Sequence, residues 1–218
     1  DMNDKTFYAR GVMAGMCIGI GGTIYLKVGG VAGAILFAIG LISVVSMKMN
    51  LFTGKAQFVW GVSRRNQTSQ GGYLWLLAIL ALNILGCLAL SLLIGADDLH
   101  EAALAIIDRR LEATPLRNGL RAVGCGFLMT LAVQGATKGK WLPLLFGVPA
   151  FILCGFPHCI ADAYYITLLP IDYLGERGAE IALFYAAIVV GNFTGCNAYR
   201  AIEPAQEKIL ELTPSIGR

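Results

Sequence analysis

Apolar residues fall in six long blocks, at about 7–26, 31–62, 73–95, 116–136, 142–170 and 179–200, separated by shorter polar segments. A helix needs about 20 mostly apolar residues to cross the hydrocarbon core of a bilayer. The pattern therefore predicts an all-α membrane protein of six transmembrane helices, with no stretch left for a separate soluble domain. Residues 1–218 are read as one transmembrane domain. Between the third and fourth blocks, segment 97–112 places Leu99, Ala103, Ile106, Ile107 and Leu111 at helical spacing on one face and charges on the other. This predicts a helix lying across the outer mouth of the bundle, joining halves of roughly 1–96 and 113–218, although a solvated loop helix has the same pattern.

Two blocks are interrupted. The second carries Lys48, Asn50, Thr53 and Gly54 within S-M-K-M-N-L-F-T-G (46–54), and the fifth carries Gly155, Pro157, His158 and Asp162 within G-F-P-H-C-I-A-D (155–162). Polar groups beside helix-disrupting residues predict discontinuous helices there. Each interruption lies in the middle block of its own half. Three blocks per half is an odd number, so the halves insert with opposite orientation, which predicts an inverted repeat about an axis in the membrane plane. Broken helices at matching places of such a repeat point to a binding site near the midplane.

Composition sharpens this picture. The chain is 56% hydrophobic and only 14% charged, with a mean hydropathy of +0.66, whereas a soluble domain is about a quarter charged. The first apolar run is span length with no evident cleavage site, so no signal peptide is expected. Cys17, Cys87, Cys125, Cys154, Cys159 and Cys196 all lie in or beside apolar blocks, which argues for small packing residues rather than disulfides or a metal site. No cofactor is expected, and the formal net charge of +3 carries no basic run suited to nucleic acid. Lys5, Arg10, Lys55, Arg64, Arg65, Lys138, Lys140, Arg200 and Lys208 fall on one side of a six-span reading, with few acids until Glu203, Glu207 and Glu211 of the tail, while Lys27 falls on the other with Asp97, Asp98, Glu101, Asp108, Glu112, Asp172, Glu176 and Glu180. The positive-inside bias puts both termini in the cytoplasm, blurred by the arginines of 97–121. Glycines at 11, 15 and 19, and at 191 and 195, form faces that let helices approach closely, within one protomer or between protomers.

His158 is the sharpest functional candidate, because an ionisable group inside an apolar block is costly unless it faces a cavity or a partner. Its imidazole suits donation of a proton or a hydrogen bond to a small anion, although a neutral ring bonded to a backbone carbonyl freed by the helix break would account for it without a path. Asp162, four residues on, is placed to orient the ring and favour its charged form. Lys48, Asn50 and Thr53 offer donors at the other break, with Lys48 also able to snorkel to an interface. Asn192, in G-N-F-T-G, is either a path-facing amide or interhelical glue. Phe37, Leu41, Leu51, Phe58 and Phe151 are candidates for apolar rings that narrow a path.

At these residues the sequence resembles the formate/nitrite transporter family, whose relatives include formate, nitrite and hydrosulfide channels. N-L-F-T-G resembles the family's acid-L-F-T-small loop, G-F-P-H-C-I-A-D-A-Y-Y its G-F-E-H-x-x-A-N-M segment, G-N-F-T-G its last-span G-N motif, and T-L-A-V (130–133) its fourth-span C-L-A-V. The resemblance covers essentially the whole chain. It implies a homopentamer in a lipid bilayer, with an aquaporin-like path through each protomer. In that path His158 would be the central histidine, with Thr53 beside it and Asn192 as the last-span asparagine. It further implies an outer constriction of Leu51 and Phe151, an inner one of Phe37 and Leu41, and Arg110 near the family's outer-mouth lysine.

The chain departs from the pattern at Asn50, where the family has an acid, at Pro157, where it has glutamate, and at Asp162 and Gly126, where it has asparagine. The expected function is passage of small monovalent weak-acid anions, or their conjugate acids, across the cytoplasmic membrane. A neutral-solute channel of aquaporin type lacks its paired N-P-A loops here, V-P-A at 148–150 being the nearest string. A membrane enzyme would need clustered ligands, yet the chain has two histidines, and His100 lies in the outer segment. A non-conducting relative is the remaining alternative.

Overall fold

The computed structural model describes residues 5–58, 72–95 and 98–212, with 199–212 described by backbone alone. Arg64, Arg65 and Asp97 lie outside the described residues, as do the side chains of Phe58, Arg200, Glu203, Glu207, Lys208 and Glu211. The described chain is helical throughout: α1 (Lys5–Val28), α2 (Gly30–Ser46), α3 (Phe52–Lys55), α4 (Tyr73–Ile94), α5 (His100–Glu112), α6 (Pro115–Thr137), α7 (Leu142–Leu153), α8 (Cys159–Thr167) and α9 (Ile171–Leu212). Among the described residues α1, α4, α6 and the Ile171–Ala198 part of α9 are long and apolar enough to cross a membrane, while α2 and α7 are shorter apolar helices.

The ends of α2 and α7 are built alike. After α2, Lys48 N–H donates to Val45 O and Met49 N–H to Val44 O; after α7, Gly155 N–H donates to Ile152 O and Phe156 N–H to Phe151 O. Each is a helix C-cap in which one residue takes a left-handed conformation. That residue is Lys48 (φ 52°) in the first and Gly155 (φ 67°) in the second. Gly54, expected to disrupt the second block, instead sits inside α3. The turn falls earlier, at Lys48, because capping hydrogen bonds decide where a helix stops. A second correction concerns α9. Its apolar block begins near 179, yet the helix starts at Ile171 and carries Asp172 and Glu176 in its first turns. Hydropathy marks the part of a helix suited to lipid, not where its hydrogen bonds begin.

Packing follows a regular plan. α1 packs on α2 and α4, α6 packs on α7 and α9, and α2 meets α7. α8 lies against α1 and α4, and α3 against α6 and α9. The glycine faces pack within the protomer. A Cβ on Gly15 would lie 2.0 Å from Asn83 O, and one on Gly195 would lie 2.0 Å from Val123 O, so α1–α4 and α6–α9 approach backbone to backbone. α5 is a helix whose Leu99, Ala103 and Ile107 are buried, and it packs on α8. Its start is tied to α1 by an ion pair between Lys27 and Asp98.

Candidate functional site

His158 is the N-cap of α8. Its ring Nδ1 accepts the Ala161 N–H at 3.3 Å, while Asp162 Oδ2 accepts the His158 N–H at 3.0 Å. The two side chains thus cap the helix start reciprocally. With Nδ1 used as an acceptor, the neutral ring carries its proton on Nε2, which faces Thr53 Oγ1 at 2.9 Å. Thr53 is fully buried and His158 is 2% exposed. The short helices α3 and α8, one from each half, therefore meet through this side-chain pair.

Two asparagines hold the loops that lead into those helices. Asn192 donates to Pro157 O at 3.0 Å and Ala122 O at 2.8 Å, and its Oδ1 accepts the Cys159 N–H at 2.7 Å. Asn83 donates to Asn50 O and Gly11 O, both at 2.8 Å, and its Oδ1 accepts the Phe52 N–H at 2.9 Å. One amide straddles His158 and the other straddles Leu51. The Asn192 amide is thus engaged at both ends by backbone groups of α6 and of the turn into α8. Asn83 escaped the reading of single residues, though a signal existed: N-I-L-G-C (83–87) and N-F-T-G-C (192–196) share the pattern N-x-x-G-C.

Asp162 departs from its expected role. It was placed to orient the imidazole, but its Oδ1 pairs with Arg110 Nε at 2.9 Å and its Oδ2 serves the His158 backbone. As the N-cap residue, His158 folds its ring over the helix start, so that Nδ1 meets the Ala161 N–H and Nε2 faces Thr53. Arg110 also donates to Gly155 O at 3.1 Å, and its own carbonyl accepts from Asn118 Nδ2 at 2.7 Å. The arginine is consequently fixed on both sides.

His158 and Asp162 also line a cavity of about 240 Å³. Arg109, Arg110 and Arg121 line it together with Tyr25 and Tyr165, and its apolar wall includes Phe37 and Phe151. Phe151 stacks on the His158 ring (centroids 5.7 Å apart) and meets Phe37 edge-on (6.2 Å). Phe37 therefore meets Phe151 across the expected division into Leu51 with Phe151 and Phe37 with Leu41. Leu41 and Leu51 are each 1% exposed and lie outside the cavity lining. Asn50 turns back to α1, donating to Phe7 O at 3.3 Å, and Lys48 is exposed in its turn. Neither faces the Thr53–His158 pair. Arg121, Tyr25 and Tyr165 were not singled out beforehand. The signal for Arg121 was the excess of arginine in 97–121 that blurred the charge asymmetry, and the two tyrosines gave none.

Of the cysteines, Cys154 is exposed and Cys17 partly so, while the other four are buried as packing residues would be. Cys87 and Cys196 also donate S–H hydrogen bonds.

Among the described residues, four apolar helices long enough to cross a membrane, with a buried Thr53–His158 contact between two short helices, define a helical membrane protein. The family model for the formate/nitrite transporters matches residues 1–201, and the chain belongs to that family. It is similar to an uncharacterized transporter, YrhG, of Bacillus subtilis (strain 168), at 28% identity over 148 residues, covering 62% of this chain and 55% of that protein. The chain thus spans about half the length of that curated relative. Among solved structures, it is similar to a pentameric formate channel with formate bound (TM-score 0.75, 21% identity, 94% of this chain and 97% of that one). It is also similar to an FNT family ion channel (TM-score 0.74, 23% identity, 91% and 88%).

Proposed function

We propose that this chain conducts small monovalent weak-acid anions, such as formate, nitrite, hydrosulfide or a short carboxylate, through a path that passes the Thr53–His158 pair. The carrying observation is a buried imidazole N–H set opposite a hydroxyl, at 2.9 Å, on the wall of a cavity lined by three arginines and one carboxylate, Asp162. An anion is drawn to the arginines, sheds water between Phe37 and Phe151, and there exchanges hydration for the Nε2–H and hydroxyl donors. Of the two roles expected for His158, hydrogen-bond donation is the better supported, since Nδ1 is already engaged by Ala161. Leu41 and Leu51 would narrow the path on the far side of that pair.

The same reading takes the fold as six membrane crossings in an inverted 3+3 repeat, α2–α3 and α7–α8 each forming a discontinuous span. Its support is the matched set Asn83 and Asn192, Lys48 and Gly155, Leu51 and His158. It takes five copies in the assembly, as in the pentameric formate channel that the fold matches, and both termini in the cytoplasm of an inner-membrane protein.

The test is flux of formate, nitrite, hydrosulfide and acetate into liposomes across pH, with His158→Ala and Thr53→Val alongside. A hydrogen bond to a charged group contributes about 1.5–3 kcal/mol, so His158→Ala should cut flux by roughly ten- to a hundredfold. Flux indifferent to both variants would overturn the reading. Passage of neutral solutes alone would replace it with an aquaporin-like function, and no passage of any solute would indicate a non-conducting relative.

A further inference from the structure

Thr53, the partner of His158, is held from behind. Its carbonyl accepts an S–H hydrogen bond from Cys196 of α9 at 3.3 Å, and the Cys196 carbonyl accepts from Thr130 Oγ1 of α6 at 3.0 Å. Thr130, Cys196 and Thr53 are each fully buried. A continuous line of polar contacts therefore runs from α6 through α9 and α3 to the imidazole. Thr130 opens the T-L-A-V string and Cys196 closes the second N-x-x-G-C string, and neither residue touches the cavity.

The other half repeats half of this arrangement. Cys87 of α4 donates to Ile160 O of α8 at 3.5 Å, so each cysteine reaches the short helix of the opposite half. The difference lies in what the braced residue does. Ile160 presents an apolar side chain, whereas Thr53 presents the hydroxyl facing His158 Nε2. The two thiols thus brace opposite sides of the pair, because the peptide that follows Ile160 carries the Ala161 N–H held by His158 Nδ1, and the exposed Cys154 serves as the control for Cys196.

We propose that Cys196, backed by Thr130, is a positioning residue that fixes the Thr53 hydroxyl against His158 and thereby sets which anions pass. The functional half of this rests on the transport reading above; the positioning half does not. Loss of the thiol frees the α3 main chain to shift, and the Nε2–H then meets its acceptor at a different distance.

The experiment compares Cys196→Ala, Cys196→Ser, Thr130→Val and Cys154→Ala in the purified full chain. The first readout is the spectrum of isotope-labelled histidine ring nitrogens, readable because the chain has two histidines and His158→Ala assigns them. Cys196→Ala and Thr130→Val should move the His158 Nε2 signal, while Cys196→Ser, which keeps a donor, and Cys154→Ala should leave it in place. The second readout is the formate-to-acetate flux ratio, expected to shift roughly two- to fivefold in Cys196→Ala, the size a single weak S–H hydrogen bond carries, and not in Cys154→Ala. An unmoved His158 signal in Cys196→Ala, or an equal movement in Cys154→Ala, would overturn the proposal. A moved signal in a protein that passes no anion would retire the transport reading and leave the positioning role standing.

Discussion

Asp162 serves two partners at once, the Arg110 guanidinium and the His158 backbone N–H. Asp162→Asn keeps an acceptor for that N–H and removes the charge that balances Arg110. The cavity then gains one uncompensated positive charge, and anion uptake at low ionic strength should rise by roughly three- to tenfold and fall back as salt is added. Uptake measured over a salt series checks both parts, and unchanged uptake would mean that Arg110 does not act on the entering anion. His158, Thr53 and Asp162 were legible in the sequence because polar groups inside apolar blocks are costly and need a reason. Their partners were not, since Thr53 and His158 lie 105 positions apart and Arg110 and Asp162 lie 52 apart. Asp162 is four residues from His158, and helical spacing suggested a ring contact. The ring instead meets the Ala161 N–H and Thr53, because it caps the helix that the spacing argument assumed it to be part of.

Helix termination carries the clearest predictions at the level of elements. Lys48 holds a left-handed conformation that costs a residue with a Cβ about 1–2 kcal/mol, and Gly155 holds the same conformation without that cost. Lys48→Gly should stabilise the protein by about 1 kcal/mol and Gly155→Ala should destabilise it by a similar amount, read as opposite shifts in thermal unfolding in detergent. A second pair contrasts two glycines of α9. Gly195→Ala drives a Cβ to 2.0 Å from Val123 O and should cost about 1–3 kcal/mol or more. Gly178→Ala meets nothing within 4 Å and should gain up to about 1 kcal/mol of helix propensity. Equal effects would mean that the α6–α9 contact is not tight. The Lys27–Asp98 tie responds to acid. Lys27 holds the Asp98 carboxyl below its ordinary value of 3.8, so the tie is present above that value and is lost as pH falls through the lowered one. Protection of the amides at the start of α5, taken relative to the intrinsic exchange rate at each pH, should stay constant over roughly pH 5 to 8 and fall only in stronger acid.

For the whole molecule, the proposed assembly and orientation are separable from the site. Native mass spectrometry of the detergent-extracted protein should give five copies, and reporters fused to either end should both read cytoplasmic. A monomer, or reporters on opposite sides, would contradict the six-crossing pentamer while leaving the Thr53–His158 geometry intact. The matched hydrogen bonds of Asn83 and Asn192 put the weight of the architecture on two side chains. Replacing either should weaken its own half first, visible as early loss of protection in α3 for Asn83→Ala and in α8 for Asn192→Ala.

The sequence by itself determined the solvent, the number of apolar blocks, the two interruptions and the polar residues within them, because hydropathy and helix breaking act locally along the chain. It also carried the family, through strings that survive in order. Only the tertiary structure decided that Phe37 joins Phe151, that Asp162 serves Arg110 rather than the imidazole, that the first turn lies at Lys48, and that Asn83 matches Asn192. Each of these is a contact between segments distant in sequence or a balance among hydrogen bonds at a helix end. Such choices depend on which donors and acceptors the folded bundle brings within reach, and no single stretch of chain contains that information.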